Sequence, residues 1–221
     1  MRIRLPLFAL GALSSLFIAA ASACQVDDPA PPASNATAGT PQASASASAA
    51  APATSANAGK QFKQPEQVIQ AGKQYTATVK TDKGDIVLAL YADKAPVTVN
   101  SFVFLAKQGY FDGLTFHRVE PGFVIQGGDP LANGSGGPGY KTQEDQNDLA
   151  NLKWTVSMAK TAGSTEVGSQ FFINLADNTA LDQSSGTQKR FFPFAIVTAG
   201  QDVVTQIKRG DVVRSVTITE K

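Results

Sequence analysis

The 221-residue chain contains one cysteine, one histidine and one tryptophan, and its formal charge at neutral pH is +1. Each scarcity excludes something. With Cys24 as the only thiol, no intramolecular disulfide can form. With His117 as the only imidazole, and the cysteine far away near the N-terminus, neither a Cys–His nucleophile pair nor a histidine-rich metal site can be assembled. The balanced charge provides neither the basic excess of a nucleic-acid binder nor an acidic tail. Long apolar runs are also missing, apart from Leu5 to about Ala20, which is shorter than the roughly 20 residues that span a bilayer.

That run is preceded by Arg2 and Arg4 and followed by Ala21-Ser22-Ala23. This is the layout of a secretory signal, assigned to residues 1–23 and set apart from the fold. Cys24 follows directly, an arrangement similar to the lipobox of bacterial lipoproteins, with Ala21 where that pattern usually has Leu. Lipidation of Cys24 accounts for the export of an unpaired thiol, and plain cleavage after Ala23 is the alternative. By the same resemblance, Gln25 in place of Asp directs the product to the outer membrane, so the expected location is periplasmic, tethered through lipidated Cys24. Several acyl chains anchor stably where one does not.

Residues 24–72 are assigned to the lipid-attachment cysteine and a disordered Ala/Ser/Pro-rich tether. Runs such as residues 43–50 have almost no side chain large enough to offset the entropy of ordering, and Pro29, Pro31, Pro32, Pro41 and Pro52 oppose a helix. Residues 61–74, which run from the end of this span into the next, form a polar transition to which no element is assigned. About 150 residues, 73–221, remain as the folded unit, enough to bury roughly two thirds of their surface. Tyr75 to Lys80 alternates apolar with polar, and Gly84 to Tyr91 follows a turn-prone Asp82-Lys83-Gly84, which predicts a hairpin. Pro96 opens a helix with Val99, Phe102, Val103 and Ala106 on one face and Gly109 as its stop. A second helix is expected over 202–209, and short strands over 115–119, 123–126, 155–159, 170–175, 193–197 and 213–219. Short strands with two helices and no βαβ rhythm favour an antiparallel barrel over a doubly wound sheet. The glycine cluster at 134–139 lacks the Lys-Ser/Thr of a phosphate cradle and reads as a surface loop.

The stretch around which the rest is built runs from Phe116 to Asp129. Glu120-Pro121-Gly122 joins two short strands, because Pro presets φ for a turn and Gly tolerates positive φ. Alternation sorts Arg118, and then either Phe123 with Ile125 or Val124 with Gln126, onto the two faces, so that an Arg, a Gln and a Phe can converge on one patch. His117 points away from the Arg face and reads as a packed, hydrogen-bonded histidine in the wall.

This stretch, together with Gly168-Ser169-Gln170-Phe171-Phe172-Ile173-Asn174, resembles the cyclophilin family of peptidyl-prolyl cis-trans isomerases, from about Tyr75 to the C-terminus. The resemblance implies a mainly β fold, a closed eight-stranded antiparallel barrel capped by two α-helices. It also implies an isomerase that needs no cofactor and no metal and acts, as a monomer, on proline-containing unfolded or partly folded polypeptides. Arg118 and Gln126 take the catalytic places. Phe123, Val124, Phe172, Leu181, Phe191 and Phe194 take the places that line the proline slot, while Phe171, alternating with Phe172, belongs to the core. Ala159 and Lys160 offer backbone to a peptide, and Gln170 a second amide. Departures are Val124 for the family's methionine, Lys160 for its asparagine, Phe191 for its histidine and Ala180 for its tryptophan, and the stretch from Thr161 to Val167 is one residue longer than in eukaryotic members. Ala180 removes an indole N–H and a wall, so weak cyclosporin binding is expected, and a tight complex in a calorimeter would contradict it. Two rivals, a module that holds proline segments without turning them over and a ligand-binding β-barrel of unrelated activity, are separated from an isomerase by a rate measurement.

Overall fold

The computed structural model describes residues 60–183 and 190–221. The expected signal at 1–23, Cys24 and the tether as far as residue 59 lie outside the described residues. Strands β1 (Tyr75–Thr81) and β2 (Gly84–Leu90) form the predicted hairpin, burying Tyr75, Ala77, Val79, Ile86, Leu88 and Leu90 on one face. Helix α1 (Pro96–Lys107) starts at its proline as expected. Ala95 provides no cap there; the Asp145 carboxylate instead accepts the N–H groups of Val97 and Thr98, at 3.3 and 2.8 Å.

Strands β3 (Arg118–Glu120) and β4 (Val124–Gly127) follow, then β5 (Thr142–Gln143), β6 (Thr155–Met158), β7 (Glu166–Val167) and β8 (Phe171–Asn174). A 3-10 turn at Thr179–Asp182, strand β9 (Pro193–Ala199), helix α2 (Gln201–Gln206) and strand β10 (Val213–Glu220) complete the order. Helix α2 is shorter than expected because Ile207 is already extended, with ψ 133°. The pair β5–β7, inside what the sequence offered only as loop, forms its own small sheet.

The large sheet is antiparallel in the order β10-β1-β2-β9-β6-β8-β4-β3. Eight strands and two helices agree with expectation, whereas the closed barrel does not: the sheet is a curled, open half-barrel. No ladder joins its ends. The chain before β3 meets the chain before β10 through separate backbone bonds, such as Phe116 N to Asp211 O at 2.9 Å and Val213 N to Leu114 O at 2.8 Å, and one bridge, Thr115 with Val212.

Phe102 of α1 packs against Phe111, Phe171 and Phe194 at centroid distances of 5.0 to 5.8 Å, and all four rings are buried. Residues 60–72, assigned from sequence to the tether, also pack on this unit, so the folded region reaches back at least to Lys60. Asn100 of α1 is buried and clamps this segment, accepting the Val68 and Ile69 N–H groups and donating to Glu66 O. That cover explains why α1 is buried nearly all round, polar residues included.

Candidate active site

The turn between β3 and β4 has the expected geometry: Gly122 at φ 73° follows Pro121, and Phe123 N–H donates to Glu120 O at 3.0 Å. It fixes a register in which Arg118 lies opposite Gln126, and Gln126 opposite Phe172 on β8. Directly opposed residues share a face, so a guanidinium, an amide and an aromatic ring stand in one row across three strands. The period of two settles the two readings of β4: Val124 joins Gln126 on the Arg face and Ile125 turns into the core. Phe123 reaches the site from the turn.

Arg118 Nη1 donates to Gln126 Oε1 at 3.5 Å, and its Nε lies 3.6 Å from Glu120 Oε1. Both contacts are long and the side chain is 45% exposed, so N–H groups of the fork remain for a ligand. Gln126 is held more firmly, donating to Gln170 Oε1 at 2.9 Å, while Gln170 donates to Gly136 O at 2.9 Å.

Beside this row lies a small cavity of about 140 Å³, lined by Arg118, Phe123, Val124, Gln126, Ala159, Lys160, Phe172, Leu181 and Phe191. The Arg118 carbon Cζ stands 5.7 Å from the Phe123 ring centre, and Phe191 meets Phe172 edge-on at 5.5 Å. An apolar cavity of about 150 Å³ holds a benzene ring, so a pyrrolidine ring fits this one. A larger cleft of about 650 Å³ adjoins it, sharing Gln126, Ala159 and Lys160 and adding Gln170 and the loop 134–141.

Two expectations need correcting, and a third residue takes an unforeseen partner. Phe194 is not at the slot: it is fully buried against Phe102, because the alternation of β9 turns it inward. Lys160 lines the slot, and its side chain is 2% exposed, with the ammonium paired with Glu144 and also bonded to Arg190 O. His117 is buried and held below its ordinary pKa by desolvation, yet its Nδ1 finds no hydrogen-bond partner among the described residues. Phe171 is in the core as expected, at 1% exposure.

Sequence reasoning missed the residues behind the slot. Glu144 pairs with Lys160 and accepts Phe192 N–H at 3.4 Å; burial raises its carboxyl above the ordinary range although Lys160 pulls it down. Asn178 donates to Phe123 O at 2.9 Å and to Asn174 Oδ1 at 2.7 Å, and Asn151 donates to Phe191 O at 2.9 Å and to Asp182 Oδ1 at 2.7 Å. The only trace in the sequence is the clustering of Asn151, Asn174 and Asn178 beside strand ends. Among the described residues no group of His, Cys, Asp and Glu could hold a metal ion, and no helix is long and apolar enough to cross a membrane.

Such a site can bind a small apolar ring and set a cationic donor beside it. The family described as cyclophilin type peptidyl-prolyl cis-trans isomerase/CLD matches residues 76–221. A peptidyl-prolyl cis-trans isomerase of Helicobacter pylori is 41% identical over 149 residues, covering 66% of this chain and 88% of the relative. One from Synechococcus elongatus is 53% identical over 97 residues, covering 44% and 66%. A Cryptosporidium parvum cyclophilin-type isomerase superposes with a TM-score of 0.57 at 23% identity, over 66% of this chain and 98% of that one, and supports the fold. Site chemistry, sequence match and fold agree: the chain belongs to the cyclophilin-type peptidyl-prolyl cis-trans isomerases.

Proposed function

We propose that Arg118 drives the isomerisation, with Gln126 and Gln170 aligning it, and that the slot of Phe123, Val124, Phe172, Leu181 and Phe191 receives the proline ring. The backbone of Ala159 and Lys160 meets the flanking peptide. The obstacle is amide resonance, a barrier of roughly 18–20 kcal/mol. In the twisted state the proline nitrogen becomes pyramidal and accepts a hydrogen bond that the planar cis and trans forms cannot accept. A donor fixed beside it therefore stabilises the transition state selectively. Arginine suits the task as a permanently charged, rigid fork. No proton is transferred, no adduct forms, and no cofactor or metal takes part. The observation that carries this reading is the position of a half-exposed guanidinium at the rim of a ring-sized apolar slot.

The slot has half-exposed Arg118 in its lining, which suits an X-Pro bond in an accessible, extended segment. Substrates are thus proline-containing unfolded or partly folded polypeptides, and the enzyme works on exported proteins as a periplasmic monomer anchored through lipidated Cys24. A protease-coupled assay with a proline peptide tests the catalytic reading: the full chain accelerates isomerisation and Arg118→Ala does not. Equally slow rates in both would leave only a module that binds proline segments. A mass spectrum of the mature protein showing an unmodified Cys24 would remove the anchor.

A further inference from the structure

Residues 60–69 precede the span matched by the family, yet they are tied to the same elements that hold the catalytic face. Lys60 Nζ donates to the carbonyls of Gln108 and Gly109 at 2.9 and 3.0 Å, placing a cation just past the C-terminal end of α1. Phe62 packs edge-on against Phe104 of α1 at 5.1 Å and lies 6.3 Å from Tyr110. Asn100 clamps residues 66–69 further along.

From this strap two routes lead to Gln170. Phe62 N–H donates to Pro138 O at 2.7 Å and Gln61 Nε2 to Gly137 O at 3.1 Å, fastening the glycine loop whose Gly136 carbonyl accepts Gln170 Nε2. Gly139 in that loop stands at φ 91°, and a Cβ there would come within 2.8 Å of Phe62 O, so only glycine lets the strap approach this closely. In the second route Tyr110 bonds Ser169, the neighbour of Gln170, at 3.1 Å. Ser169 spends its proton on Gly128 O at 2.7 Å, so the Tyr110 hydroxyl, whose pKa burial pushes up to about 12, is the donor to Ser169. Gln170 then holds Gln126, which orients Arg118.

We infer that the strap formed by residues 60–69 is a positioning element for the catalytic guanidinium, acting through the loop 136–139 and the Gln170–Gln126 amide pair. None of its residues lines the ring slot, although Gln61 reaches the adjoining cleft. Its effect is on how long Gln126 keeps the Arg118 fork aimed at the slot, which is a term in turnover and not in ring binding. The inference rests on Arg118 as the catalytic donor.

Phe62→Ala in the full chain tests it, with exchange spectroscopy on a proline peptide giving rate and affinity separately. The expected result is a fall in saturated rate of roughly fivefold, the scale of one net hydrogen bond, at unchanged affinity. The Arg118 Nε–Hε resonance should move as well, and Phe62→Tyr should restore both. Should Phe62→Ala fail to fold, the double variant Lys60→Ala, Gln61→Ala at the strap's rim must show the same loss of rate. An active wild type with a variant unchanged in rate and in the Arg118 resonance overturns the strap's role alone, whereas an inactive wild type overturns both readings.

Discussion

The two walls of the proline slot are built on different principles. Arg118, Gln126 and Phe172 stand in register on β3, β4 and β8, where backbone ladders and the Gly122 turn set their spacing. Across the slot, Ala159, Lys160, Leu181 and Phe191 lie off the ladders, with Glu144 holding Lys160, Asn151 holding Phe191 O and the Asn178 carbonyl accepting Leu181 N–H. On the ladder wall Arg118 is half-exposed and its contacts are long; the other wall is stapled by an ion pair with both side chains under 4% exposed. One wall is therefore positioned by chain geometry and left free to work, and the other is positioned by buried charge and left little to do but hold shape.

The comparison breaks most visibly at Glu144. Glu144→Ala strands the Lys160 ammonium in the interior and should lower unfolding free energy by about 3–5 kcal/mol, read by chemical denaturation. Glu144→Leu together with Lys160→Met should recover most of that loss. A single-variant loss under about 1 kcal/mol would mean that the loop wall does not depend on the pair.

On the ladder wall the balance reverses. Gln126→Leu removes the bond to a charged group, so isomerisation should slow by roughly tenfold or more while stability stays within about 1 kcal/mol of wild type. Loss of fold without a specific loss of rate would erase the distinction between the walls.

A smaller effect separates the interior next to Arg118 from the site itself. Burial holds His117 below its ordinary value, with Arg118 and Arg209 acting in the same direction and Asp129 against. The unfolded chain therefore takes up a proton that the folded chain refuses. Stability from this group is full above the ordinary histidine range near 6.5 and is lost as pH falls through it. Glu144, raised by burial, contributes with the opposite sign, so the term is isolated by subtracting the pH–stability curve of His117→Gln. An identical slope in both proteins would remove it.

What the sequence made legible follows the same division. The β3–β4 turn, the α1 face, the Phe171/Phe172 alternation and the Arg118–Gln126 pair all rest on local periods of two or 3.6 residues, which a sequence displays directly. Phe194 was misplaced and the partner of the Lys160 ammonium was not foreseen, because tertiary neighbours decide where they point, an inward strand face in one case and a buried carboxylate 16 positions away in the other. The open sheet was illegible for a related reason: closure depends on how residues 113–116 approach residues 210–213, and no local pattern records that. The strap at 60–69 read as spacer because Phe62, Val68 and Ile69 are few and widely spaced, and it is Phe104 and Asn100 of α1 that give them a place.

The most direct test of the account is two-dimensional exchange NMR on a proline peptide with wild type, Arg118→Lys and Arg118→Ala, reading peptide affinity and cis–trans exchange in the same sample. The prediction is that all three bind the peptide within a few-fold of one another, that exchange falls by about 10²–10³ in Arg118→Ala, the scale of losing one transition-state donor, and that lysine restores little of it. Exchange in Arg118→Ala as fast as in wild type, at equal affinity, would contradict the claim that this guanidinium turns the bond.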